Sequence, residues 1–210
     1  MYRLAVILLA LATAASCPAL AAEVDTLSSI GAQLDHYAVL RSDFKQSKQM
    51  SALKRPLATS GHLVFSREHG ILWQIEQPYR MTYVLGDDRI VEISADGTRR
   101  ERGLRDLPGL TQMSKIFRAV FSANTAALRD VFEIGVRGDP AKWEIELKPR
   151  QAQIAQFLDG LQLSGGRFVE KIRISEVGGD TTLILFHNTQ NYSALNETEV
   201  LLFGGILSKP

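Results

Sequence analysis

The residues best equipped for covalent or metal chemistry are few in this chain: one cysteine, Cys17, and four histidines, His36, His62, His69 and His187. No histidine stands in an H-x-x-x-H or H-x-x-E pair, the spacing that sets two ligands on one helix face, so the pattern predicts no metal centre. No G-x-S-x-G elbow presents a serine nucleophile. Asp87 and Asp88 are adjacent. Neighbouring side chains on a strand point to opposite faces, so the pair reads as a turn and not as an acid and base. Gly-rich pairs lack the strand–loop–helix setting of a phosphate cradle. Asn196-Glu197-Thr198 matches a glycosylation acceptor and reads as a loop. The expectation is a non-enzymatic protein with no cofactor. A lipid hydrolase without a sequence signature and an envelope adaptor subunit are the alternatives from other classes.

Cys17 belongs to a segment with the layout of a secretory signal. Arg3 precedes the apolar run Leu4–Leu11, and small residues end in Ala19-Leu20-Ala21-Ala22 before Glu23. Residues 1–22 are expected to be removed, and 23–210 to form one domain. Lipid anchoring at Cys17 is the weaker alternative, because Ala14 is a poor match three residues before it and Pro18 follows directly. A mature chain without cysteine has no disulfides and relies on its core alone, which suits a bacterial periplasm.

The formal net charge is +1, which leaves no electrostatic footprint for nucleic acid or an anionic membrane surface. Hydrophobic and charged fractions of 45% and 22% place the chain among globular proteins. The basic stretch Arg99, Arg100, Arg102 and Arg105 is broken by Glu101 and Asp106, and reads as a solvated loop or an edge strand.

Two periods organise the elements. Leu27, Ile30, Leu34, Tyr37 and Val39 recur at helical spacing over Asp25–Leu40, with Asp25 or Thr26 as cap. The period then falls to two in Arg41–Ser51, Thr59–Arg67, Gly70–Gln77, Arg80–Leu85 and Arg89–Ser94, divided by turn residues. Asp106–Ser122 restores a helical period, and Thr125–Arg129 adds a short helical turn. Alternation returns in Val131–Arg137, Lys142–Lys148, Leu161–Leu163, Phe168–Val177 and Thr181–Asn188, and a final run, Glu199–Phe203, closes the chain. Gln151–Leu158 reads as a short helix or loop. Such a succession predicts a mainly β (α+β) protein built on one large curled antiparallel sheet, its concave face covered by the two helices.

Alternate positions put Leu63 and Phe65, Trp73 and Ile75, Met81, Tyr83 and Leu85 on one face, joined by Ile134 and Val136. Trp143, Ile145 and Leu147, Ile172 and Ile174, then Leu183 and Leu185 continue it. A filled core and a lined cavity share this pattern, and periodicity alone leaves both open.

A series of motifs resembles the LolA family of periplasmic lipoprotein carriers. It comprises Phe44-Lys45-Gln46 after the first helix, Gly61-His62-Leu63 followed by Arg67, Trp73 with Pro78 five residues on, and Trp143 ahead of Leu147-Lys148-Pro149-Arg150. The last hairpin, Phe168 to Asn188, and the polar 191–197 loop follow in the family's order. The resemblance implies an incomplete β-barrel with helices as a lid over an apolar cavity, acting as a monomer. It implies a cavity of Phe44, Leu63, Phe65, Trp73, Ile75, Met81, Tyr83, Leu85, Trp143 and Ile145, a lid carrying Leu110, Met113 and Phe117, and a latch, Arg67, bonded to lid backbone. The implied cargo is acylated lipoprotein, received from an inner-membrane exporter and passed to an outer-membrane acceptor. Departures from the family pattern make a lipid-linked product, such as an aryl polyene or glycolipid, the alternative cargo. Glu68 stands where the family has proline, and it is expected to pair with Arg67; Gly86-Asp87-Asp88-Arg89 replaces the usual hairpin turn, and the C-terminal strand is shortened.

Overall fold

The computed structural model describes the backbone of residues 18–86, 89–103 and 108–207, with their side chains except those of 18–25, 103–113 and 205–207. Most of the expected signal segment, including Cys17, lies outside the described residues, as do Asp87, Asp88 and the side chains of Leu110 and Met113. Helix α1 (Pro18–Asp35) leads into a meander of β1 (Val39–Gln49), β2 (Leu57–Ser66), β3 (Gly70–Gln77), β4 (Met81–Leu85), β5 (Arg89–Ser94) and β6 (Arg99–Gly103). Helices α2 (Pro108–Phe121) and α3 (Thr125–Val131) follow. A second meander comprises β7 (Phe132–Asp139), β8 (Lys142–Pro149), the short α4 (Ala152–Ala155), β9 (Leu158–Gly165), β10 (Val169–Glu176) and β11 (Thr181–Tyr192), before α5 (Glu197–Leu207).

The eleven strands form one antiparallel sheet in the order β6-β5-β4-β3-β2-β1-β11-β10-β9-β8-β7. Pairing of β1 with β11 joins the two meanders at the centre, while among the described residues β6 and β7 form the unpaired edges of an open sheet. The basic stretch at Arg99–Gly103 is thus an edge strand, where charged side chains discourage pairing with another chain. Gly61 is required by close packing between strands. A Cβ there would stand 1.8 Å from the Gln74 carbonyl oxygen, at a register shift in the β2–β3 ladder.

Two strand expectations are corrected. Glu199–Phe203 lies in a helix, not a strand. The Asn196 side chain accepts from the Glu199 backbone N–H at 2.9 Å, and the Glu199 carboxylate accepts from the Asn196 N–H at 2.8 Å. This reciprocal capping box starts α5. Leu183 and Leu185 point outward, with Leu185 42% exposed, whereas Ile184 and Phe186 are buried. Register decides the phase, because Phe186 sits opposite the buried Phe44.

The sheet buries residues on both faces. Its concave side forms the main core with α1, α2 and α3. Its convex side over β1–β5 carries Val39, Val64, Leu72, Val84 and Val91, sealed by Phe203 of α5. Arg41 fixes that helix through two bonds to the buried Glu199 carboxylate, at 2.6 and 2.5 Å.

Candidate binding cavity

The concave face has a filled half and a hollow half. Over β8 and its neighbours, Leu27, Ile30 and Leu34 of α1 close on Trp143, Ile145 and Val169 and leave a void of only about 30 Å³. The Trp143 indole donates to the Gly166 carbonyl at 2.7 Å, which satisfies its buried N–H, and Gln33 of α1 donates to the same oxygen. Toward the strand ends at Gln49, Gln77 and Glu176 the interior opens into a cavity of about 700 Å³, within the range of ligand pockets. Trp73, Ile75, Tyr83 and Leu85 form one wall, Ile174 and Ile184 the facing one, and Phe117 of α2 covers them.

Aromatic contacts hold α2 over the sheet. Trp73 has its ring centroid 4.2 Å from that of Phe44 and 6.1 Å from that of Phe117, nearly parallel to the latter. Phe121 stacks on Phe65 at 5.8 Å and meets Phe186 edge-on. Offset and edge-to-face arrangements of this kind add to the area buried.

Polar groups gather at the mouth, with Ser114 set apart from them. At the mouth Lys48 and Glu176 pair at 2.7 Å, each side chain 29% exposed, and Thr182 donates to the same carboxylate at 3.2 Å. Gln46 and Glu92 also reach the cavity. Within the wall Ser114 is 3% exposed, and its hydroxyl has no hydrogen-bond partner among the described residues. Burial, then the nearby Tyr79 and Glu92, pushes the Tyr83 hydroxyl above its ordinary pKa, so it stays neutral.

The residues singled out in the sequence therefore divide. Trp73, Ile75, Tyr83, Leu85 and Phe117 line the cavity. Phe44, Leu63 and Phe65 are buried in the packed core behind it, and Trp143 and Ile145 belong to the filled half. Met81 is half-buried opposite Ile75 at the cavity end of β4. Leu110 and Met113 lie outside the described side chains. Gln46, Lys48, Ser114, Phe157, Glu176 and Thr182 were not anticipated. The first two had a signal: Phe44, Gln46 and Lys48 are in phase on one strand, so the glutamine of the F-x-Q motif points inward with the phenylalanine.

Arg67 bridges the two covering helices at their C-terminal ends. It donates to the Asp35 carboxylate and the Asp35 carbonyl, each at 2.6 Å, to the Tyr37 carbonyl at 3.3 Å and to the Ser122 carbonyl just past α2 at 3.2 Å. Its carboxylate partner is Asp35 and not the expected Glu68, whose side chain is 86% exposed. On the convex face His62 lies 2.7 Å from Asp43 and 3.4 Å from Glu76, with His187 3.9 Å from Asp43. These pairs tie β1 to β2 and β11, and β2 to β3, away from the cavity. Among the described residues no cluster of His, Cys, Asp and Glu could hold a metal, and no helix is long and apolar enough to cross a membrane.

A family model described as outer membrane lipoprotein carrier protein LolA-like matches residues 15–199. No curated protein matches the chain. Among solved structures, a DUF1329 family protein from Desulfovibrio piger is similar at 11% identity and a TM-score of 0.47, covering 85% of this chain and 95% of that one. A LolA superfamily protein from Nitrosomonas europaea is similar at 8% identity and a TM-score of 0.42, covering 83% and 96%. Lipoprotein LppX from Mycobacterium tuberculosis is similar at 12% identity and a TM-score of 0.43, covering 86% and 99%.

Proposed function

Because the chain belongs to the LolA-like family of outer membrane lipoprotein carrier proteins, we propose that it is a periplasmic carrier whose cavity holds the acyl chains of a lipoprotein between the inner and outer membranes. The cavity of about 700 Å³ between the sheet and α2 is the observation that carries this reading. Its walls are aromatic and aliphatic. Burying about ten methylenes there contributes roughly 8 kcal/mol, the size of a micromolar Kd. Ser114 and the Lys48–Glu176–Thr182 cluster supply the few hydrogen-bonding groups that orient a ligand's polar linkage. No covalent step is needed: loading moves hydrocarbon out of water, and release requires the lid to open.

Arg67 is the latch in this scheme, since it joins the ends of α1 and α2 that must part for the lid to move. An inner-membrane exporter loads the monomeric carrier after residues 1–22 are removed, and an outer-membrane acceptor unloads it. Native mass spectrometry of protein purified from cells tests the proposal. The expected result is a chain carrying lipid or acylated peptide, with the bound species lost in Leu85→Glu while strand content by circular dichroism is kept. A lipid-free chain that also takes up no acylated probe would refute carriage.

A further inference from the structure

The cavity mouth is ringed by apolar side chains that the core does not use. Leu53, Leu57, Tyr79 and Val177 are 39%, 51%, 54% and 48% exposed. Strand register puts them all at one end of the sheet. Leu57 lies opposite Lys48, which lies opposite Thr182. Tyr79 occupies the β3–β4 turn beyond Gln77, and Val177 follows the last residue of β10, its N–H donating to the Phe157 carbonyl at 3.1 Å. Leu53 is in the β1–β2 connection, which Asp180 of the β10–β11 turn holds through the Ser51 N–H at 2.9 Å.

Exposed cations also stand at this end, although the whole chain carries a formal charge of only +1. Lys54, Arg55 and Arg80 are exposed and form no ion pair among the described residues. Among the acidic groups at this end, Glu176 pairs with Lys48 and Glu76 lies beside His62. Asp180 and Asp96 accept from the neutral Ser51 and Thr98 N–H groups and keep their charge, and Asp159 at the start of β9 is exposed. Unpaired cations beside protruding apolar tips, one of them an amphipathic tyrosine, match the chemistry of a lipid–water interface. The tips come from three separate connections and the first residue of β2. A fluid surface accommodates such spacing without a shaped counterpart.

We propose that this rim docks the protein, mouth first, on an anionic lipid bilayer, so that the cavity faces the membrane holding the exporter or acceptor and an acyl chain enters or leaves it without crossing water. The purpose of the rim rests on the carrier reading above, but its binding chemistry does not. The test is flotation with phosphatidylcholine vesicles, with and without phosphatidylglycerol, using protein in the form in which an expressing cell processes it. Wild type should float with the anionic vesicles, and less so in high salt. Leu57→Ser/Tyr79→Ser/Val177→Ser should lose most of this binding. Lys54→Ser/Arg55→Ser should lose on the order of tenfold on anionic vesicles only, given what each cation contributes near such a surface. Both variants should keep wild-type melting and wild-type uptake of an apolar fluorophore into the cavity. Absence of binding to anionic vesicles, or equal binding by wild type and both variants, overturns the rim proposal. Vesicle binding without fluorophore or acyl-probe uptake would instead remove the carrier reading and leave the rim standing.

Discussion

Replacing Ser114 by alanine should make the empty protein more stable, against the usual direction for a buried position. The side chain is 3% exposed on α2, and its hydroxyl has no hydrogen-bond partner among the described residues. Burying a hydroxyl without a partner costs about 1–3 kcal/mol, and alanine is also the better helix former by about 0.5 kcal/mol. The change in shape is small, so no compensating cavity cost arises. A net gain of about 1–2 kcal/mol raises Tm by roughly 3–6 °C for a chain of this length. Scanning calorimetry of delipidated wild type and Ser114→Ala measures it. The same substitution should weaken binding of an acyl ester about fivefold, because the ester carbonyl loses a donor, while leaving a plain hydrocarbon unaffected. An unchanged or lowered Tm would show that the hydroxyl is satisfied in the empty protein, and would remove Ser114 from the set of groups held for the ligand.

Arg67→Leu loses the bonds to Asp35, Tyr37 and Ser122; stopped-flow uptake of an apolar fluorophore should quicken several-fold, and an unchanged rate would end the latch assignment. Phe203→Ala removes a fully buried ring between α5 and the convex core, at a cost of about 3–5 kcal/mol. Rapid hydrogen exchange confined to α5, with cavity uptake retained, is the outcome expected if the helix detaches as a unit. Asp43 governs part of the acid limb of stability. The Asn188 amide first, and His62 after it, hold its carboxyl below the ordinary 3.8 against the opposing effect of partial burial. The folded state therefore binds fewer protons there than the unfolded chain. This contribution is complete above the unfolded value and vanishes as pH falls through the folded one. Asp43→Asn should flatten the decline in Tm over that interval, by less than about 1 kcal/mol for so exposed a group.

The sheet was legible because turn residues divide β2 to β5, and alternation in β7 to β10 carries its own phase. β11 does not: Thr181-Thr182-Leu183-Ile184-Leu185-Phe186 offers apolar residues at both parities, and only pairing with β1 selects Ile184 and Phe186. The convex core had a similar signal, since Leu63-Val64-Phe65 and Ile71-Leu72-Trp73 put apolar residues on both faces, the mark of a strand buried twice. Its cover, α5, was misread because Val200–Phe203 is an unbroken apolar run with no helical stripe. The Asn196-x-x-Glu199 spacing was the available signal. Whether Trp73 and Trp143 line a hollow or fill one is not a property of either strand. It follows from where α1 and α2 settle, and those helices fill the Trp143 side and leave the Trp73 side open.

Held by α2 inside and by α5 outside, β3 to β5 bend as a three-layer plate, and a plate gripped on both faces is stiff. β8 to β10 have no such backing: Glu144, Gln162 and Arg173 turn their outer face to water. Any widening of the mouth to admit a second chain then falls on the single-backed side, which carries Ile174 and Glu176, while Trp73, Ile75 and Tyr83 remain a fixed wall. The carrier would adjust to cargo of different girth by yielding along one flank, leaving unmoved the surface that grips.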